Sequence, residues 1–124
     1  MNAPMPRRLV LKATSGADRP ETINQVFTVA TAALAAGTEV GVWLTGEAAW
    51  MAVPGRADDV ALEHAAPLAD LVAAVLEAGT LTVCTQCAAR RGITEASVLP
   101  GTRIAGSSLF VEEILDPTVQ ALVY

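Results

Sequence analysis

The sequence predicts a three-layer, flavodoxin-like α/β domain of about five mostly parallel strands with helices on both faces. Short β-prone runs alternate with helical patterns about five times along the chain, which is typical of a parallel sheet wrapped by helices. The run "EVGVWL", residues 39–44, is almost wholly apolar, as expected of a strand that is covered on both faces. The length of 124 residues predicts one domain over residues 1–124, with residues 1–6 as a loose N-terminal arm.

The first predicted elements are a strand and a helix. "RLVLKAT", residues 8–14, is short and β-prone, and turn residues follow it. Asp18 and Glu21 have the spacing of a capping box, and Pro20 between them suits the first turn of a helix. Gly37 is predicted to end this helix. Its apolar residues recur at helical spacing: Ile23, Val26, Phe27, Ala30, Ala33 and Leu34.

The middle of the chain adds a strand and further helical segments. After the strand at residues 39–44, "GEAAWMAV" at residues 46–53 is helix-like, and the acidic "GRADDVALEH" at residues 55–64 predicts an exposed, irregular segment. Pro67 opens the clearest amphipathic helix, and Gly79 ends it. One face of that helix carries an apolar stripe: Leu68, Leu71, Val72, Val75 and Leu76.

The last third of the chain repeats the alternation. "TLTVC", residues 80–84, predicts a third strand, and a short helical turn follows it and ends at Gly92. "TRIAG", residues 102–106, is a short strand candidate. "SSLFVEEIL", residues 107–115, predicts a helix, and "TVQALVY", residues 118–124, predicts the last strand.

Composition and charge argue against several classes of function. The net charge is −5 and the Lys and Arg residues are scattered apart from two Arg pairs, which disfavours direct nucleic-acid binding. No apolar run approaches the ~20 residues of a membrane-spanning helix. Only 17% of the residues are charged, against about 25% in typical domains, so self-association into a homo-oligomer is expected. We expect a cytoplasmic protein, and in that reducing setting paired cysteines more often indicate reactivity or metal binding than a structural disulfide.

"LTVCTQCAARRGI", residues 81–93, holds both cysteines of the chain. Cys84 is predicted at the carboxyl end of a strand, where α/β sheets hold ligands and where the amides of the next helix stabilise a thiolate. The residues alone leave open whether the cysteines are inert core filling, one working thiol with a bystander, or a dithiol in which Cys87 resolves a bond made by Cys84. A thioredoxin-like dithiol is disfavoured because two strands precede this C-x-x-C.

Metal and cofactor sites are not predicted. A tetrahedral zinc site needs four ligands, whereas the chain offers one C-x-x-C pair and a lone His64, which we interpret as a surface or helix-end residue. "TSGADRP", residues 14–20, is a strand-to-helix turn that could hold an anion, but it lacks the glycine patterns of nucleotide sites. One histidine without a placed acid gives no catalytic triad.

"CTQCAARRGI", residues 84–93, resembles the signature of the DsrE family of sulfur-relay proteins, which includes the DsrE, TusD and YchN-like groups. The shared pattern is a strand that ends in Cys, an Ala-rich turn, and Arg-Arg-Gly with an aliphatic residue. "LVLKATSGADRPETINQVFTVATAALAAGTEVGVWLTGEAAWMAVPG" resembles the family's first strand, helix, second strand and following loop. "GTRIAGSSLFVEEIL" with "VQALVY" resembles its closing helix and strand, so the likeness covers nearly the whole chain.

The resemblance implies a role for Cys84. The family's carrier cysteine lies eight residues before the glycine of the Arg-Arg-Gly segment, which matches Cys84 and not Cys87. Cys84 would accept a sulfane sulfur as a persulfide from a donor protein and pass it to an acceptor protein, as a sulfurtransferase does. Cys87 departs from the one-cysteine pattern and is a candidate resolving thiol. The resemblance also implies a trimer or hexamer.

Three further residues are candidates for supporting roles. Arg90 and Arg91 either place positive charge near Cys84, or stabilise the C-terminal end of the short helix through its dipole while their side chains face water. Trp50, beside Met51 in a loop-rich region, is expected to line a pocket or an interface. The competing hypothesis is a non-catalytic, oligomeric interaction subunit in which both cysteines are inert filling.

Overall fold

The computed structural model describes residues 8–124, and the N-terminal arm predicted for residues 1–6 lies outside the described residues. The strands are β1 (Arg8–Ala13), β2 (Glu39–Leu44), β3 (Thr80–Cys84), β4 (Arg103–Ala105) and β5 (Val119–Val123). The α-helices are α1 (Pro20–Ala35), α2 (Leu68–Ala78), α3 (Thr85–Arg90) and α4 (Ser107–Ile114), and 3-10 helices span Gly46–Ala52, Arg56–Asp59 and Glu95–Ser97. No helix within residues 8–124 is both long and apolar enough to cross a membrane.

The strands form one parallel sheet in the order β4-β3-β2-β1-β5. The predicted flavodoxin-like α/β class is therefore confirmed. The last strand, β5, lies outside β1, in the position that the second strand takes in the 2-1-3-4-5 order of flavodoxin itself. Since β4 and β5 are at opposite edges, the helix that joins them, α4, has to cross the sheet.

One face of the sheet is apolar and holds the core. Alternate residues of each strand point to this face, and the largest of them are fully buried: Leu11, Val42, Leu44, Leu81 and Val83. The helices α1 and α2 pack on this face and on each other. They bury the residues that the helical spacing predicts, among them Ile23, Phe27, Val72 and Val75. Each such side chain contributes about 1.5–3 kcal/mol on burial, so most of the hydrophobic stabilisation lies on this face.

The predicted capping box at the start of α1 is wrong. The residue that precedes the helix is Arg19, and it makes no side-chain capping bond. Asp18 instead accepts a hydrogen bond from the backbone N–H of Gly16 at 2.8 Å. Because this tight turn uses the carboxylate of Asp18, the helix begins one residue later, at Pro20, whose missing N–H costs nothing in the first turn.

The opposite face of the sheet carries polar side chains. The parallel register places Lys12, Trp43, Thr82 and Arg103 side by side in one row across four strands. This row lies beneath α4, whose Phe110 ring packs edge-on against Trp43 with centroids 5.3 Å apart. None of the residues of α4 is fully buried, so the single helix covers this face only in part.

Glu113 fixes α4 to the polar face. Its carboxylate accepts hydrogen bonds from the indole N–H of Trp43 at 3.0 Å and from the guanidinium of Arg103 at 2.8 Å. The guanidinium of Arg8 lies 3.7 Å away, and the Glu113 side chain is only 9% exposed. Arg103 also donates to the hydroxyl of the buried Thr82 at 2.9 Å. One carboxylate therefore joins the helix to three strands.

Replacing Glu113 with Ala is expected to destabilise the fold. The change leaves one indole N–H and two guanidinium groups without their shared acceptor. Hydrogen bonds to charged groups contribute about 1.5–3 kcal/mol each to stability. Because Arg103 is 37% exposed and can regain water, we expect a total loss of about 2–3 kcal/mol. Urea unfolding measures it. The neighbouring Glu112 is exposed, and Glu112→Ala is the matched control; equal effects of the two substitutions would contradict the proposed anchor.

Candidate functional site

Cys84 is the last residue of β3 and directly precedes α3. It shares the face of Lys12, Trp43 and Thr82, because it lies two residues beyond Thr82 along the strand. The chain leaving β3 turns toward the core, where Ala88 joins the buried cluster. The chain leaving β4 instead enters α4 on the other face. Cys84 therefore lies in the crevice where neighbouring connections diverge, the position at which open α/β sheets bind ligands.

The side chain of Cys84 is 8% exposed and faces a half-open cavity of about 120 Å³. The lining combines two thiols, two hydroxyls, one cation and two aromatic rings, from Lys12, Trp43, Thr45, Cys84, Cys87, Ser107 and Phe110. The sulfur is thus buried in the fold but reachable through the cavity. A second cavity of about 150 Å³ lies against α2, and the described residues that line it include no thiol or cation.

Several groups act on the Cys84 thiol, and together they lower its pKa. Burial is the largest influence and raises the pKa, because the anion loses hydration. The backbone amides of Cys87 and Gln86, the thiol of Cys87 and the positive charge of Lys12 lower the pKa and outweigh the burial. The Cys84 sulfur does not cap α3 with a hydrogen bond, so the two amides act on it as nearby dipoles. The thiolate, which is the nucleophilic form, is therefore favoured at Cys84.

Cys87 lies in the first turn of α3 and lines the same cavity. Its sulfur accepts a hydrogen bond from the backbone N–H of Gly46 at 3.2 Å. Gly46 has a φ of +55°, and a Cβ there would lie 2.8 Å from the carbonyl oxygen of Thr14. Only glycine fits this turn without strain, so the donor N–H has a fixed position. Both cysteines are free thiols.

The structure places Arg90 and Arg91 at the end of α3, away from the cavity. Arg90 is exposed in the last turn. Arg91 donates to the carboxylate of Glu47 at 2.8 Å and to the carbonyl oxygen of Cys87 at 3.1 Å. Arg91 therefore ties α3 to the 3-10 helix Gly46–Ala52, and neither arginine lines the wall next to Cys84.

Trp50 lies in the 3-10 helix Gly46–Ala52, partly buried against the core. The guanidinium of Arg56 stacks over its ring at 4.0 Å from the centroid. Trp50 does not line the Cys84 cavity, and the tryptophan that does is Trp43. Trp43 is 2% exposed because it lies on the polar face under α4.

Lys12 is the functional candidate that the sequence reading missed. Among residues 8–124, Lys12 is the one positively charged residue that lines the cavity. Its Nζ lies 5.3 Å from the centroid of the Phe110 ring. The signal was a lysine near the carboxyl end of a strand in which the three preceding residues, Leu9 to Leu11, are apolar, since such a charge is seldom buried without a partner or a role. Which partner it faces depends on strand order and register, which are tertiary features.

The structure does not bring metal-ligating side chains together within residues 8–124. No group of three or more His, Cys, Asp or Glu residues in this range could hold a metal ion. His64 is exposed, and its φ of +58° places it in a turn.

Comparisons with known proteins agree with the fold. The sequence model of the DsrE/DsrF-like family matches residues 8–118. No curated protein sequence matches the chain. The crystal structure of the YchN protein from E. coli superposes with a TM-score of 0.79 at 13% identity, covering 97% of this chain and 100% of that chain. MTH1491 from Methanobacterium thermoautotrophicum, a protein of unknown function, superposes with a TM-score of 0.71 at 9% identity, covering 94% and 98% respectively. At these identities the two structures establish the fold.

The charge of Lys12 is expected to raise the reactivity of Cys84 toward iodoacetamide. Lys12→Met removes a charge that lowers the pKa of Cys84, so the thiolate fraction and the alkylation rate at pH 7 should fall. At a pH above both pKa values the two rates should converge. The measurement is the alkylation rate as a function of pH, with tandem mass spectrometry assigning the label to Cys84 or Cys87.

Lys12→Arg keeps the charge and is the control, with a pH profile close to that of the wild-type protein. Identical profiles for Lys12→Met and the wild-type protein would show that Lys12 does not act on the thiol.

Proposed function

Because the chain belongs to the DsrE/DsrF-like family, we propose that it is a sulfur-relay protein in which Cys84 carries a sulfane sulfur as a persulfide and passes it to a partner. Family membership suggests sulfur relay in general terms. One observation supports the assignment to Cys84: a thiol with a lowered pKa faces a cavity at the carboxyl edge of the sheet. Its activity would be that of a sulfurtransferase without a bound cofactor.

Loading begins with the thiolate of Cys84 as nucleophile. It attacks the outer sulfur of a donor persulfide, R–S–S⁻, so that a new S–S bond forms on Cys84 and the donor leaves as R–S⁻. A depressed pKa supplies the thiolate near neutral pH. Since Cys84 is 8% exposed, the donor sulfur has to enter through the cavity.

Holding the persulfide requires a site for a second sulfur that carries negative charge. The cavity of about 120 Å³ is large enough for one added sulfur atom. Lys12 provides the counter-charge, and the rings of Trp43 and Phe110 provide soft, polarizable surface. The hydroxyl of Ser107 can donate a hydrogen bond to the outer sulfur, whereas that of Thr45 donates to the carbonyl oxygen of Ala13 at 2.7 Å. This lining suits an anionic sulfur better than a neutral apolar ligand.

Delivery reverses the chemistry at the outer sulfur. A thiolate of the acceptor protein attacks that sulfur, and Cys84 leaves as a thiolate whose low pKa makes it a good leaving group. Because the donor and the acceptor use the same opening, they bind in turn. A working thiol of this kind needs reducing surroundings, so the proposal includes a cytoplasmic location.

The proposal also includes a homo-oligomer, a trimer or hexamer as in the family. Exposed apolar side chains on and beside the partly covered face of the sheet support an oligomer: Val111, Leu115 and Val123 are 46%, 74% and 65% exposed. Val111 lies in α4, Leu115 directly follows α4, and Val123 lies in the edge strand β5. Burial of such side chains in an interface would contribute about 1.5–3 kcal/mol each.

Incubation with inorganic polysulfide is expected to load one sulfur on Cys84. In samples taken immediately after desalting under anaerobic conditions, intact mass spectrometry should show the wild-type protein gaining the mass of one sulfur atom. Cys84→Ser should gain none, because the attacking thiolate is gone. Cys87→Ser should still load and is the matched control. Loading that survives in Cys84→Ser would move the carrier role away from this residue.

Leu115→Lys is expected to weaken the oligomer. Leu115 follows the last turn of α4, where a cation is compatible with the helix dipole, so the fold should tolerate the change. Sedimentation equilibrium should show a smaller species than the wild-type protein at the same concentration. Glu112→Gln alters the net charge by the same amount at an exposed position of α4 and should leave the assembly unchanged. A wild-type monomer would refute this part of the proposal.

A further inference from the structure

We propose that Cys87 is a discharging thiol: it attacks the persulfide on Cys84, forms the Cys84–Cys87 disulfide and releases the carried sulfur as hydrosulfide. This inference rests on the proposed function, because it needs a persulfide on Cys84. It adds an outcome that sulfur relay does not include, since a sulfur that finds no acceptor leaves the protein in reduced form.

The positions of the two sulfurs favour this reaction. Cys84 precedes α3 and Cys87 is its third residue, and side chains at these two positions meet across the first turn of a helix. Both side chains line the same cavity. The Cys87 thiol is among the groups that lower the pKa of Cys84. The C-x-x-C spacing allows the two sulfurs to form a disulfide within one turn of helix.

The backbone next to Cys87 supports it as an attacking group. The N–H of Gly46 donates to its sulfur at 3.2 Å. This donor comes from a different segment and is held by a turn that only glycine fits, with a φ of +55°. The hydrogen bond holds the Cys87 sulfur at the wall of the cavity that Cys84 also lines.

Discharge depends on which sulfur of the persulfide Cys87 attacks. Attack on the inner sulfur, Cys84 Sγ, gives the disulfide and releases hydrosulfide. Cys84 and Cys87 occupy the C-x-x-C positions of the first turn of α3, a spacing that suits a bond between these two sulfurs. Attack on the outer sulfur would instead transfer the persulfide to Cys87.

The reaction balances without an external oxidant. Cys84–S–S⁻ and Cys87–SH give the Cys84–Cys87 disulfide and HS⁻. One S–S bond forms between the cysteines, the bond between the inner and outer sulfurs breaks, and the thiol proton leaves with hydrosulfide. The sulfane sulfur gains two electrons, and the two cysteine sulfurs together lose them. A thiol reductant then returns the disulfide to two thiols, so that the protein can be loaded again.

The experiment follows the carried sulfur in the absence of acceptor and reductant. The full-length protein is loaded with inorganic polysulfide, desalted anaerobically and sampled over time for intact mass and for free hydrosulfide. The wild-type protein should lose the added sulfur, release about one hydrosulfide per persulfide and end two hydrogens lighter than the dithiol form. Cys87→Ser should hold its persulfide at least about tenfold longer, because the intramolecular nucleophile is gone.

Two controls separate folding and site effects from discharge. Cys87→Ala tests whether serine itself alters the site, and circular dichroism confirms that each variant is folded. Gln86→Ala changes an exposed neighbour in the same turn and should discharge at the wild-type rate.

Each result has a distinct meaning. Equal persulfide lifetimes in the wild-type protein and Cys87→Ser would overturn the discharge step but leave Cys84 as a carrier. A persulfide found on Cys87 without hydrosulfide release would also overturn it, because Cys87 would then be a relay. Failure of every variant to form any persulfide would refute the proposed function itself.

Discussion

The parallel register of the sheet is the constraint on which the site depends. Because paired residues of parallel strands point to the same face, β1, β2, β3 and β4 place Lys12, Trp43, Thr82 and Arg103 in one row. A slip of one residue in β1 would turn Lys12 into the apolar core and Leu11 out of it. The register is thus fixed by hydrophobic burial on the core face. The arrangement of charges on the other face follows from it.

The direction of the connections then decides where a ligand can bind. β1, β2 and β3 follow one another across the sheet in one direction, and right-handed crossovers keep α1 and α2 on the same face. The step from β4 back past β1 to β5 runs the other way, so α4 lies on the opposite face. The crevice between the ends of β3 and β4 is a result of this reversal. Cys84 and the start of α4 therefore border one cavity.

The local parts of this structure could be predicted from the sequence. β2 and β3 have the bounds expected of the runs at residues 39–44 and 80–84, because their apolar character and flanking turn residues are local signals. Cys84 was expected at the end of a strand for the same reason. The capping box at Asp18 was wrong, since the spacing could not show that a tight turn already uses this carboxylate.

The features that could not be predicted depend on contacts between distant residues. The segment at residues 46–53 has helical spacing but forms a 3-10 helix, which packs against α3 and β3. Glu113 acts on Trp43 across 70 positions of sequence, and no spacing rule indicates such a pair. Lys12 reaches the cavity only because α4 crosses the sheet. The sequence therefore indicated the position of Cys84 at the end of a strand, whereas the charged surroundings of this thiol required the tertiary structure.

The way in which Glu113 is shared explains why Lys12 can act on Cys84. Within residues 8–124, the polar face of the sheet carries the cations Arg8, Lys12 and Arg103, and the largely buried carboxylate of Glu113 pairs with the two arginines. Among the ion pairs of residues 8–124, none includes Lys12. Lys12 instead lies by the ring of Phe110, which attracts a cation without neutralising its charge. A carboxylate next to Lys12 would cancel most of its field at the thiol. By engaging the arginines, Glu113 anchors α4 and leaves the charge of Lys12 available to an anionic sulfur.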